Sequence, residues 1–264
     1  MAKKETYLTC PNTNIFEGMT SISAILNKYE QNINNSRTIV RILFDEAKTV
    51  SKSRELAFLQ RKSAQYGFPI EFVDSNALAK LTTGNTHGGI VAECAPKNFG
   101  LLSEHLDNIV KNGVYVMLDG VEDPYNFGYS IRSIYASGAD GVILPPRNWM
   151  DVAGIVAKSS AGASELMDMY IAEPLEAIAC FRQLGYRVIC SGIRDSVSMY
   201  DADLKKPVFL IVGGEKRGIS SAIEQNADLV AKVEYGRDFR GSLSTASAAT
   251  IMVYEIYRQN RTES

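Results

Sequence analysis

Val114-Tyr115-Val116-Met117-Leu118-Asp119-Gly120-Val121-Glu122-Asp123-Pro124-Tyr125-Asn126-Phe127-Gly128 runs from an unbroken apolar stretch through a turn signal into a helical pattern that carries Arg132. Five apolar residues before an acid have the length and composition of a strand buried on both faces, the habit of parallel sheets. Outward from this stretch the same short run recurs at Gly141–Leu144, Arg187–Ser191, Val208–Gly213 and Leu229–Val233. Helical spacing falls near 126–137, 151–158, 174–184, 219–225 and 243–259. Strands alternating with helices predict an α/β parallel sheet covered on both faces, with ligands at the carboxyl ends of its strands.

The N-terminal half reads as a second, smaller α/β unit. Ile22, Ile25, Leu26 and Tyr29 recur at helical spacing, with Thr20 or Ser21 as a cap. A β-rich run at Thr38–Phe44, a helix over Ser53–Tyr66 closed by Gly67, and the run Ile70–Val73 follow. Gly88-Gly89 then permits a tight turn into Ile90-Val91-Ala92-Glu93. The Pro, Gly and polar residues of 95–113 mark the boundary, giving expected domains at 1–105 and 106–264.

Composition narrows the class. The chain has 264 residues, 45% hydrophobic and 22% charged, which suits folding throughout. The opening Met-Ala-Lys-Lys-Glu-Thr is polar, and no stretch approaches the ~20 apolar residues of a membrane span, so a soluble, cytoplasmic protein without a membrane partner is expected. Cys10, Cys94, Cys180 and Cys190 have no Cys-x-x-Cys spacing and only His87 and His105 beside them, so no metal site is expected. A net charge of −2 does not advertise a nucleic-acid binder. An RNA partner would need local patches, for which Arg54, Arg61 and Lys62, or Arg237 and Arg240, are candidates.

Three loops carry the chemistry. In the first, Asp123-Pro124 is a turn signal, and taken alone Asn126 reads as a helix cap and Arg132 as a surface residue. In the second, Gly213-Gly214-Glu215-Lys216-Arg217-Gly218, two glycines after a buried strand let a ligand approach the backbone. It matches neither the phosphate-cradling Gly-x-x-x-x-Gly-Lys-Ser/Thr order nor Gly-x-Gly-x-x-Gly, so nucleotide hydrolysis and dinucleotide binding lose their usual support. The third, Gly236 to Ala249, runs into an apolar helix; core packing accounts for Ala246, Ala248 and Ala249 better than for Ser242 and Ser244.

Together and in this order the loops resemble the TrmH-type (SpoU) branch of the SPOUT superfamily of RNA methyltransferases. The resemblance rests on Asp123, Pro124, Asn126, Gly128 and Arg132, then Ser160-Ala161-Gly162-Ala163, then Gly213, Glu215 and Gly218, and in part on Ser242-Leu243. His87-Gly88-Gly89-Ile90-Val91-Ala92 resembles the strand that closes the family's ribosomal-protein-like RNA-binding domain. Ser244 stands where the family usually has Asn, and Val233-Glu234-Tyr235 where it has Ile-Pro-Met.

The resemblance implies a SPOUT-like parallel sheet with a trefoil knot, a homodimer, and S-adenosylmethionine-dependent methylation of a ribose 2′-hydroxyl in RNA, with ribosomal RNA as the expected substrate. The alternatives are transfer RNA, or an inactive RNA-binding protein on the same fold. It places Arg132 beside the reacting hydroxyl; because a guanidinium pKa above ~12 makes a poor base, the expected role is positioning. Asn126 would fix that Arg, Glu215 would orient Asn126 or the adjoining helix, and Ser242 and Ser244 would reach nucleotide or cofactor. Gly213, Gly214, Gly218, Val233 and Leu243 would hold the cofactor through backbone groups.

Overall fold

A computed structural model of the protein describes residues 14–30, 37–82, 86–97, 99–146 and 152–261. Cys10 and the first residue of the helix expected at 151–158 lie outside them. By compactness the chain divides into one unit of residues 1–98 with 149–166, and another of 99–148 with 167–264.

The first unit is built on a four-stranded sheet of β1 (Asn14–Glu17), β2 (Ile39–Asp45), β3 (Ile70–Val73) and β4 (Ile90–Cys94) in the order β1-β4-β2-β3. β4 runs antiparallel to β1 and β2, and β2 pairs parallel with β3. Helices α1 (Gly18–Glu30), α2 (Ser53–Tyr66) and α3 (Ser75–Leu81) complete its N-terminal part. Ile22, Ile25 and Leu26 of α1 enter a core with Phe16, Ile42, Phe44, Leu59 and Ile90. Thr20 and Ser21 lie inside α1, which begins at Gly18, so neither caps it.

Two short helices, α5 (Ala153–Ser159) and α6 (Ala163–Leu166), return to this unit from far along the chain. The approach is tight. A Cβ at Gly154 would stand 2.0 Å from the Ile15 carbonyl oxygen, and one at Gly162 2.7 Å from Ala24 Cβ. Arg37 and Glu165, both buried, form a two-pronged ion pair at 3.0 and 3.3 Å, and the same guanidinium lies 4.6 Å from the centre of the Phe16 ring. Lys28 donates to the Leu166 carbonyl at 2.9 Å, and Lys158 meets Glu17 at 2.7 Å. Ser160-Ala161-Gly162-Ala163 thus belongs to the first unit.

The second unit is an eight-stranded sheet, parallel throughout, of β5 (Gly100–Leu101), β6 (Val114–Asp119), β7 (Gly141–Leu144), β8 (Met169–Ile171), β9 (Arg187–Ser191), β10 (Val197–Ser198), β11 (Val208–Gly213) and β12 (Leu229–Lys232). Its order is β10-β12-β9-β11-β6-β7-β8-β5. Helices α4 (Pro124–Ala136), α7 (Pro174–Gln183), α8 (Ser221–Gln225) and α9 (Thr245–Asn260) connect or follow the strands. Val116, Met117, Leu210 and Ile211 are fully buried, as central parallel strands require. Tyr115, Phe181, Tyr186 and Phe209 form an aromatic cluster in one core, with Phe181 and Phe209 stacked at 4.2 Å. In the register of the two central strands Gly213 pairs with Asp119, so the loops leaving β6 and β11 start level with each other.

Candidate active site

Those level ends bring the first two loops together backbone to backbone. A Cβ on Gly214 would lie 2.2 Å from the Gly120 carbonyl oxygen, and one on Gly213 2.6 Å from the Gly218 carbonyl carbon. Such contacts exclude any larger residue without a shift of the backbone. Gly218 sits at φ +61°, and its N–H donates to the Gly214 carbonyl at 3.0 Å, closing the second loop on itself.

The cap of α4 differs from expectation. Asp123, not Asn126, is the N-cap, its carboxylate accepting from the Tyr125 N–H at 2.7 Å, with Pro124 in the first turn. Asn126 is thereby free to act across the site: its Nδ2 donates to Glu215 Oε1 at 2.8 Å. The same oxygen accepts from the Thr245 N–H at 3.4 Å, while Thr245 Oγ1 donates to the Gly213 carbonyl at 3.2 Å. One carboxylate therefore joins the loops after β6 and β11 to the first turn of α9.

Around this junction lies a cleft of about 280 Å³, lined by Gly120, Val121, Glu122, Asp123, Asn126, Glu215, Lys216 and Thr245. Lys216 pairs with Glu122 across it. Asp119, at the end of β6, has its carboxyl pKa pushed up by burial and then by the charge of Glu173. Among the described residues, no group of three or more His, Cys, Asp or Glu is placed to hold a metal.

The sequence profile of the SpoU rRNA methylase family matches residues 113–254, and that of the RNA 2′-O ribose methyltransferase substrate-binding domain matches 17–100. The chain belongs to the SpoU rRNA methylase family. It is an RNA methyltransferase of that family. A protein of Mycobacterium ulcerans named as an uncharacterized tRNA/rRNA methyltransferase is 32% identical over 223 residues, 83% of this chain and 68% of that one. The 23S rRNA (guanosine-2′-O-)-methyltransferase RlmB of Shewanella oneidensis is 26% identical, over 80% of this chain and 86% of its own. An AdoMet-bound rRNA methyltransferase from Sinorhizobium meliloti has the same fold, with a TM-score of 0.78 at 22% identity over 95% of this chain and 89% of that chain.

Within this SpoU-family frame the expected site residues fall into distinct places. Asn126 and Glu215 line the cleft, and Gly213, Gly214 and Gly218 shape the loop behind Glu215. Arg132 is exposed on α4 and has no ion pair among the described residues. Ser244 is committed as the N-cap of α9, its Oγ accepting from the Ser247 N–H at 3.2 Å. Leu243 donates its N–H to the Tyr235 hydroxyl at 3.2 Å, Ser242 is exposed, and Val233 directly follows β12. Thr245, Glu122 and Lys216 enter the site without having been singled out. Their signal was only adjacency to the glycine loop and to the helix start.

Proposed function

We propose that the protein transfers a methyl group from S-adenosylmethionine to a ribose 2′-hydroxyl of ribosomal RNA. The observation that carries this reading is the Asn126–Glu215–Thr245 junction at the carboxyl ends of the central strands. The donor set suits a cationic methyl donor: Glu122, Asp123 and Glu215 outweigh Lys216 around the cleft, a charge balance that disfavours free phosphate and favours a sulfonium. When bound, S-adenosylmethionine supplies a methyl group on positively charged sulfur, already an electrophile with a good leaving group. Backbone groups of Gly213, Gly214, Gly218, Val233 and Leu243 would hold it.

The protein's own work is alignment and the handling of one proton. Glu215 holds the Asn126 carboxamide and the start of α9 in fixed relation, so the loops that meet the two reactants cannot drift apart. Arg132, six residues after Asn126 on α4, positions the acceptor nucleotide through its phosphate or hydroxyl, its planar fork suiting two-pronged contact. Residues 1–105 recognise the RNA, consistent with the substrate-binding profile, and 106–264 carry catalysis. Ribosomal RNA is favoured over transfer RNA because RlmB matches across both halves of the chain. The trefoil knot, the homodimer and a cytoplasmic location belong to the same proposal.

Titration of the full chain with S-adenosylmethionine in chelator tests the first step: one site per chain is expected. No binding by a folded sample at millimolar cofactor would overturn the reading.

A further inference from the structure

Arginines of the second unit sort by position. Arg182, Arg187 and Arg258, on α7, at the start of β9 and late in α9, are ion-paired with Asp228, Asp203 and Glu255. Arg132, Arg194, Arg217, Arg237 and Arg240 are exposed and have no ion pair among the described residues. Arg194, Arg217, Arg237 and Arg240 lie in the loops that leave the carboxyl ends of β9, β11 and β12, while Arg132 lies in the third turn of α4, the helix after β6. Arg261 lies at the far end of α9. Exposed guanidinium groups without carboxylate partners are available to phosphate.

The loop after β12 also carries two exposed aromatics. Tyr235 is 37% and Phe239 56% exposed, with ring centres 5.7 Å apart and planes at 57°. Burying neither ring costs the fold apolar stabilisation, so their exposure asks for a partner. The pair is held in place. The Tyr235 hydroxyl accepts from the Leu243 N–H at 3.2 Å, and Gly241 leaves room for the Phe239 ring, which a Cβ there would meet at 2.4 Å. Arg237 and Arg240 flank Phe239, and Glu234 and Asp238 of the same loop pair with neither.

We propose that Tyr235 and Phe239 form a stacking seat for an unpaired nucleobase of the RNA substrate, with Arg237 and Arg240 holding its phosphates. The proposal rests on the methyltransferase reading above and deepens it by assigning a single-stranded RNA contact to a loop beside the cleft. Unpaired bases offer a π-face that aromatic side chains meet whatever the base, and arginine meets the adjoining backbone. A double helix, its bases already stacked, offers no such face.

The test uses the full chain and a 12-nucleotide single-stranded RNA of mixed sequence carrying 2-aminopurine, with a duplex of the same sequence and S-adenosylhomocysteine titrated in parallel. Binding should quench 2-aminopurine, and Phe239→Ala should abolish the quench and weaken single-strand affinity about tenfold. Phe239→Trp should restore both and Phe239→Leu neither, while S-adenosylhomocysteine affinity stays unchanged in all three. Arg237→Ala with Arg240→Ala should weaken binding and flatten its salt dependence. Equal single-strand affinity and quench in Phe239→Ala, or rescue by Leu as good as by Trp, would overturn the seat. So would a loss confined to S-adenosylhomocysteine, which would assign the rings to the cofactor's adenine. Failure of the unaltered protein to bind S-adenosylhomocysteine would count against the methyltransferase reading while leaving the RNA arm readable.

Discussion

Arg132 is exposed and has no ion pair among the described residues, so Arg132→Ala should change stability by no more than about 0.5 kcal/mol. Its proposed role lies in the transition state, where losing a positioning contact of ~3 kcal/mol costs about 100-fold in rate. Single-turnover methyl transfer at saturating cofactor measures it, and Arg132→Lys should recover little because an ammonium lacks the planar fork. Near-normal transfer by the alanine variant would make Arg132 an ordinary surface residue. Glu215→Gln keeps an oxygen to accept from Asn126 and Thr245 and should retain more activity than Glu215→Ala, which leaves both donors without that partner. The thiols give a separate check on packing. Burial pushes the Cys190 pKa up to about 11 and raises those of Cys94 and Cys180, so all three should resist iodoacetamide at pH 8 until the chain is unfolded, as peptide mass spectrometry can read. At this scale the family resemblance already offered Glu215 as the residue that orients Asn126 or the adjoining helix, and the Asn126–Glu215 hydrogen bond is the first of these. The sequence did not reveal that Asp123 takes the capping role and frees Asn126, because Asp and Asn are near-equal caps and only the position at which the helix begins separates them.

Among the elements, the contact between the loops after β6 and β11 predicts unequal glycine tolerance. Gly214→Ala drives a Cβ into the Gly120 carbonyl and should destabilise by about 1–3 kcal/mol, whereas Gly218→Ala meets nothing within 4 Å and strains only its own backbone at φ +61°. Urea unfolding of the two variants tests the order. Helices α5 and α6 make a comparable case in the first unit. Glu165→Ala would leave the buried Arg37 without its carboxylate and should cost about 3–5 kcal/mol, while Glu122→Ala, at an exposed pair with Lys216, should cost no more than about 1 kcal/mol. The long central strands and helices were legible from their runs and spacing. Met169–Ile171, Val197–Ser198 and Gly100–Leu101 were not, because strands of two or three residues have too little pattern to rise above their flanks.

For the molecule as a whole, chain order and compactness part ways at α5 and α6, which lie between β7 and β8 in sequence and pack with the first unit. A pattern read along the chain carries no sign of that return; buried Arg37 and Glu165 stand 128 residues apart. A fragment of 106–264 would carry α5 and α6 without the core they pack on, so limited proteolysis should cut within 152–166 there and spare it in the full chain. The central claim is ribose-specific methyl transfer to RNA, and its most direct measurement uses the full chain, methyl-labelled S-adenosylmethionine and separated ribosomal and transfer RNA, followed by digestion to nucleosides. Label in a 2′-O-methylnucleoside from ribosomal RNA, reduced at least ~100-fold by Arg132→Ala, is the expected result. Label in a base-methylated nucleoside, or none from a folded and cofactor-bound protein given unmodified RNA, would contradict it.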